Sequence, residues 1–236
     1  MAGSRRWLMN VGILIFPDVE VLDFSGPFEV FSVATRVAKR DRGPQAAPFE
    51  AFLVAETPGL VRARYGFQVK PHYCFDDHPR IDHLLVPGGI VDQPRGSPRA
   101  LDWIRRTAAT AELVTSVCTG AFLLAEAGLL DGLRATTHWE DAADLRREFP
   151  AVDVVDDQFW VDRGRVVTSA GIAAGIDMCL HLVARLQDED LARTAARQMV
   201  YDWRPGPAGV VAGELEQAQA TGGVDHEAAV QRRGVP

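Results

Sequence analysis

Of the three cysteines in this chain, Cys118 has the sequence neighbours a nucleophile needs. It stands in TSVCTGA (115–121), between the branched apolar run ELVTSV (112–117) and the apolar run GAFLLAEAGLL (120–130). A strand that enters a helix through a tight turn lifts the turn residue to the carboxyl edge of a sheet, where open α/β folds build their sites. Gly120 and Ala121 supply the small side chains such a turn needs. The helix N-terminus is expected to favour the thiolate and draw the pKa of Cys118 below its free value. The competing role for Cys118 is that of a small hydrophobe packed in the core.

Asp23 follows the first strand, so a doubly wound sheet brings it to the same edge as Cys118. Its bland alternative is to cap the helix expected to start near Pro27, for which it lies slightly too early. Thr119 carries a hydroxyl suited to holding water or a substrate nitrogen, or simply starts the helix after Cys118. Its backbone N–H, with those of Gly88 and Gly89 in VPGG (86–89), would make an anion-stabilising pocket, although two glycines also just end a strand. ATTHWE (135–140) adds His138 and Glu140. A triad with Cys118 is conceivable, but His138 is assigned to the pocket wall. His72, Cys74, His78 and His83 are close in sequence, yet their spacing is not that of a zinc site, and no metal is expected. Cys179 in its apolar helix reads as inert packing, and Trp103, Trp139, Trp160 and Trp203 as core or dimer anchors.

These residues need a scaffold. VGILIF (11–16) is a continuous branched apolar run, as in a parallel strand covered on both faces. A helix with Pro27 at its first position and apolar residues at 28, 31, 34 and 38 should follow. Further strands are expected at FEAFLVA (49–55), HLLVPGG (83–89) and ELVTSV. Further helices are expected at LDWIRRTAA (101–109), at 171–186, where the apolar character runs almost all round, and in DEDLARTAARQMVYDW (188–203). Alternation of strands and helices predicts an α/β fold, a doubly wound, mostly parallel sheet with helices on both faces. LVRARYGFQVKP (60–71) and DDQFWVDRGRVVTS (156–169) read as hairpins turning at Tyr65-Gly66 and Arg163-Gly164, decorating that sheet. One domain is expected over 1–205. Residues 206–236 are shorter than the roughly 40 below which a chain seldom folds unaided, and read as a tail, flexible or laid over a partner subunit.

The 236 residues are 47% hydrophobic and 24% charged, which is ordinary for a globular protein and argues against disorder. A net charge of −7 works against loose binding to nucleic acid. An odd number of cysteines fits a reducing cytoplasm better than a disulfide-stapled secreted domain, and no apolar run approaches the roughly 20 residues needed to cross a bilayer.

Taken together and in order, VLDFSGPFEVF (21–31), VPGG, TSVCTGAFLLAEAGLLDGLRATTHW (115–139) and VVTSAGIAAGIDMCLHLV (166–183) resemble the ThiJ/PfpI family of the class I glutamine amidotransferase-like superfamily, over about residues 9–203. The resemblance implies a flavodoxin-like fold, a homodimer and a small-molecule substrate. Within the family it is strongest to the isonitrile hydratases, which depend on the aspartate of LD-x-x-GP and on the cysteine and threonine of VCTG. This carries roles over to Asp23, Cys118 and Thr119. The implied reaction adds water to an isonitrile through a thioimidate on Cys118, with Asp23 as acid and then base, and without a cofactor.

Three departures weigh the alternatives. Peptidases of the superfamily carry histidine directly after the cysteine, and Thr119 stands there instead. Glyoxalase-like, deglycase-like and redox-sensing relatives generally carry glutamate near the position of Asp23. AraC-type regulators place this domain before a helix-turn-helix region, for which 206–236 offers no apolar-periodic helix pair.

Overall fold

A computed structural model describes residues 8–203; the expected tail at 206–236 lies outside the described residues. The chain opens with β1 (Met9–Leu14), in which Val11, Ile13 and Leu14 are buried. Burying each such side chain stabilises the fold by about 1.5–3 kcal/mol. Helix α1 (Val21–Arg42) returns across the sheet to β2 (Phe49–Ala55). The hairpin at Tyr65-Gly66 is formed by β3 (Val61–Arg62) and β4 (Gln68–Val69), and leads to β5 (Tyr73–Cys74).

The second half starts with β6 (His83–Val86), the one-turn α2 (Asp92–Arg95) and α3 (Pro98–Thr110). In α3 the Ser97 hydroxyl caps the Ala100 N–H at 3.2 Å, Pro98 occupies the first turn, and Trp103 and Ile104 are buried. Then come β7 (Leu113–Val117), α4 (Gly120–Glu126), β8 (Arg134–Ala135), α5 (Ala142–Glu148) and β9 (Asp153–Val154). The chain continues through β10 (Trp160–Asp162) and β11 (Val166–Ser169) into α6 (Ala174–Leu186) and α7 (Glu189–Gln198).

Among the described residues, seven strands form one sheet in the order β10-β11-β7-β6-β1-β2-β5, parallel except for β10. Helices α1, α6 and α7 pack on one another as one layer, and α2, α3 and α4 as the other. This is the expected doubly wound, mostly parallel α/β architecture. The chain winds outward from β1 through β2 to β5, then from β6 through β7 to β11, so the order reverses between β1 and β6. A crevice opens at the carboxyl ends of such a pair of strands.

Two details differ from the sequence reading. Helix α1 begins at Val21, not near Pro27, and Pro27 lies inside it. Its cap is Glu20, whose carboxylate accepts the Val21 N–H at 3.2 Å. Pro27 has no N–H to give the carbonyl four residues back, that of Asp23, and the helix proceeds on its other bonds. The second hairpin is no decoration: β11 pairs in parallel with β7 and is buried along its length, and only β10 lies at the edge. No helix among the described residues is long and apolar enough to cross a membrane.

Candidate active site

The turn after β7 is a strained elbow. Cys118 has φ +55°, a left-handed conformation that a non-glycine residue adopts at a cost of about 1–2 kcal/mol. The surroundings hold it there. The Cys118 N–H reaches the carbonyls of Ser169 and Ala170 at 3.1 and 3.3 Å. The Cys118 carbonyl accepts the Thr137 hydroxyl at 2.9 Å and the Ala121 N–H at 3.3 Å. Gly120 packs its Cα against the carbonyls of Val86 and Pro87, where any Cβ would clash. Small residues at this turn were expected, and Gly120 shows the reason.

Asp23 projects from the first turn of α1 and is fully buried. Its Oδ2 accepts the Gly88 N–H at 3.0 Å, a bond that crosses the switch point from the end of β6. Among the described residues its Oδ1 has no hydrogen-bond partner by distance and angle. Burial is the main reason its pKa rises from 3.8 to about 7, with the Glu20 charge adding to the rise and the Gly88 N–H and Cys118 thiol opposing it. The carboxyl is therefore poised to hold or release a proton near neutrality.

For Cys118 the electrostatics run opposite to the sequence expectation. Burial and the neighbouring Asp23 carboxylate push the thiol well above its ordinary range, with Asp141 adding to the effect. The Thr119 N–H and hydroxyl pull the other way without prevailing. Desolvation and a nearby anion outweigh one turn's helix dipole, so the resting sulfur keeps its proton.

Thr119 ties the elbow to the β6 turn. Its hydroxyl donates to the Gly89 carbonyl and accepts the Gly89 N–H, both at 2.9 Å. The anion pocket expected from Gly88 and Gly89 is thus not free. The Gly88 N–H is committed to Asp23 and the Gly89 N–H to Thr119. These glycines position Asp23 and Thr119. Gly89 has φ +133° with its Cα against the backbone of Asp18 to Glu20, and a Cβ on Gly88 would come within 2.6 Å of Thr119 and 2.9 Å of the Cys118 Cβ.

His138 does reach the site. A Cβ on Gly171 would overlap its ring and lie 3.0 Å from the Cys118 Sγ, so imidazole and sulfur flank the same glycine. The ring's Nδ1 faces the carboxylates of Asp141 at 3.5 Å and Glu140 at 3.7 Å, and accepts a long bond from the Glu140 N–H. Sequence reasoning missed Gly171 and Asp141. Asp141, raised chiefly by its burial, is the nearer of the two acids to the ring. An Asp three residues after a His was a readable signal, whereas Gly171 becomes meaningful only in space.

The remaining candidates lie elsewhere. His83 is in the core, bonded through Nε2 to Thr115 at 2.9 Å, and burial lowers its pKa to about 3. His72 accepts the Leu53 N–H, and His78 the Trp103 indole N–H. Cys74 is part-exposed, while Cys179 is buried in α6. Trp103 stacks on Phe75 in the core, Trp160 on His181, Trp203 packs on the core from outside, and Trp139 is 55% exposed beside His138.

Residues 9–185 match the DJ-1/PfpI family. Isonitrile hydratase of Pseudomonas putida is 38% identical over 194 residues, covering 82% of this chain and 78% of that protein. The HTH-type transcriptional regulator GbdR of Pseudomonas aeruginosa is 28% identical over 199 residues, 84% of this chain but 52% of the regulator. The chain thus spans about half the length of that relative. A solved ThiJ/PfpI family protein from Pseudomonas syringae superposes with a TM-score of 0.73 at 28% identity, covering 91% of this chain and 86% of that one. Drosophila melanogaster DJ-1beta, at 17% identity and a TM-score of 0.68 over 83% of this chain and 99% of its own, shares the fold.

Proposed function

As the chain belongs to the DJ-1/PfpI family, we propose that it is a cysteine-dependent hydratase that adds water to an isonitrile and releases an N-substituted formamide. The observation that carries this reading is the pairing of a protonated, buried Cys118 thiol with a carboxyl, Asp23, whose pKa is about 7. Such a pair transfers protons in both directions at neutral pH. The likeness to the P. putida isonitrile hydratase supports the substrate class.

The reaction follows from the proton balance. The S–H bond of Cys118 breaks and its proton reaches the terminal isonitrile carbon by way of Asp23, while Sγ bonds to that same carbon. The C–N triple bond becomes the double bond of a thioimidate. Asp23, again a carboxylate, takes a proton from a water whose oxygen attacks the carbon and passes that proton to the nitrogen. The tetrahedral adduct then expels sulfur, which regains a proton, leaving the formamide. One water is consumed and nothing is oxidised or reduced. In each half the carboxylate takes a proton, from sulfur and then from water, and passes it on, which a pKa near neutrality allows.

The likeness to GbdR favours a second reading, a domain that binds a small molecule at this site as part of a regulator. Incubation with cyclohexyl isocyanide, following formamide formation for the native protein, Cys118→Ala and Asp23→Asn, separates the two. Turnover lost in both variants supports the hydratase. Absence of turnover in the native protein, with tight ligand binding instead, supports the regulator.

A further inference from the structure

A cavity opens at the carboxyl edge, beyond the loop that follows β1. It measures about 330 Å³, and Cys118, Asp23 and Thr119 do not line it. Its walls are Leu14 and Phe16 from the end of β1, Val61 from the hairpin, Phe75 after β5 and Ala100 on α3. A dry cavity of about 150 Å³ suffices for a benzene ring, so this one has room for an apolar body of about six carbons and a polar head.

The head group is chosen by Glu56. Among the described residues lining the cavity it is the only charged one. Its two carboxylate oxygens receive just the Ser97 hydroxyl, at 3.3 and 3.4 Å, both long bonds. Among the described residues no cation pairs with it. Arg99 lies over the Phe75 ring with its charge taken by Asp76 at 2.6 Å. A part-buried carboxylate with weak partners, at the wall of an apolar cavity, complements a compact cation with an apolar tail and repels an anion.

We propose that this cavity is an effector site for a small organic ammonium ion with an apolar body. Its position gives it a route to the chemistry. Phe16 and Pro17 line the cavity, and the next residues of the same loop hold the β6 turn. The Asp18 carbonyl accepts the Ile90 N–H at 3.1 Å, Val19 bridges Gly89, and the Glu20 N–H donates to the Gly88 carbonyl at 2.9 Å. Gly88 and Gly89 in turn hold Asp23 and Thr119.

The test uses the full chain and calorimetric titration with n-hexylammonium, n-hexanol and hexanoate near pH 7.5. The amine is expected to bind at least tenfold more tightly than the alcohol, and hexanoate more weakly than either. Glu56→Gln should bring the amine to the level of the alcohol and leave the alcohol unchanged. Ala100→Phe should abolish binding of both. Should that variant fail to fold, Glu56→Gln alone decides. Amine binding that is absent, or equal in the native protein and Glu56→Gln, overturns the proposal. So does binding lost instead in Asp23→Asn, which would place the amine beside Cys118. None of these readouts depends on isonitrile turnover.

Discussion

Thr119 and Gly89 exchange two hydrogen bonds, each 2.9 Å, and thereby join the turn that carries Cys118 to the turn that carries the Asp23 partner Gly88. Thr119→Val keeps the volume and removes both bonds. It should lower stability by about 1–3 kcal/mol, as expected when a part-buried amide is left unpaired. It should also reduce turnover of the isonitrile more than tenfold, whereas Thr119→Ser restores most of both. Denaturant titration and steady-state kinetics on the two variants check this; equal losses in both would deny the hydroxyl its tie.

Asp23 makes stability depend on pH with a defined sign. Its folded pKa of about 7 exceeds the unfolded value of 3.8, so the folded state binds more protons between these limits. Stability from this group is therefore lost as pH rises through that window. Asp23→Asn should be more stable than the native protein by on the order of 4 kcal/mol at about pH 8, with the advantage shrinking to nothing below about pH 4. Melting temperatures of the two proteins across that range test it, and a constant difference would contradict the buried, raised carboxyl.

The thiol responds to the same charge. Because the Asp23 carboxylate raises the Cys118 pKa, Asp23→Asn should shift the midpoint of Cys118 alkylation by iodoacetamide to lower pH, while turnover disappears. An unchanged midpoint would mean that the two groups do not sense each other.

Gly171→Ala should cost more than tenfold in both alkylation and turnover, because the added methyl collides with the His138 ring and crowds Sγ. Gly171 does not have positive φ, so the backbone tolerates alanine and the loss is local. A circular dichroism spectrum like that of the native protein with full activity would refute the crowding.

Much of this was legible in the chain, for identifiable reasons. FEAFLVA reads as a strand over 49–55 and is β2 to the residue, since a buried parallel strand is written as a largely apolar run. Asp23, Thr119 and Cys118 were expected at one edge, and topology brings them there. The start of α1 is hard to read because Pro27 looks like a first-turn residue, while the cap seven residues earlier is a glutamate, a weak signal. β11 reads as half of a decorating hairpin because its local turn is visible in the sequence and its pairing with β7, some fifty residues away, is not. The lowered thiol pKa expected at Cys118 failed for the same reason. A helix dipole can be read locally, but burial and the proximity of Asp23 and Asp141 arise only on folding.

The left-handed backbone at Cys118 sets selection for durability against selection for chemistry. Glycine or asparagine would sit at φ +55° with less strain, so Cys118→Gly should unfold at a higher temperature than Cys118→Ala. In a lineage that no longer needed the thiol, drift would run toward those relaxed residues. The dihedral at position 118 thus sets any cysteine there against the stability that a glycine would return.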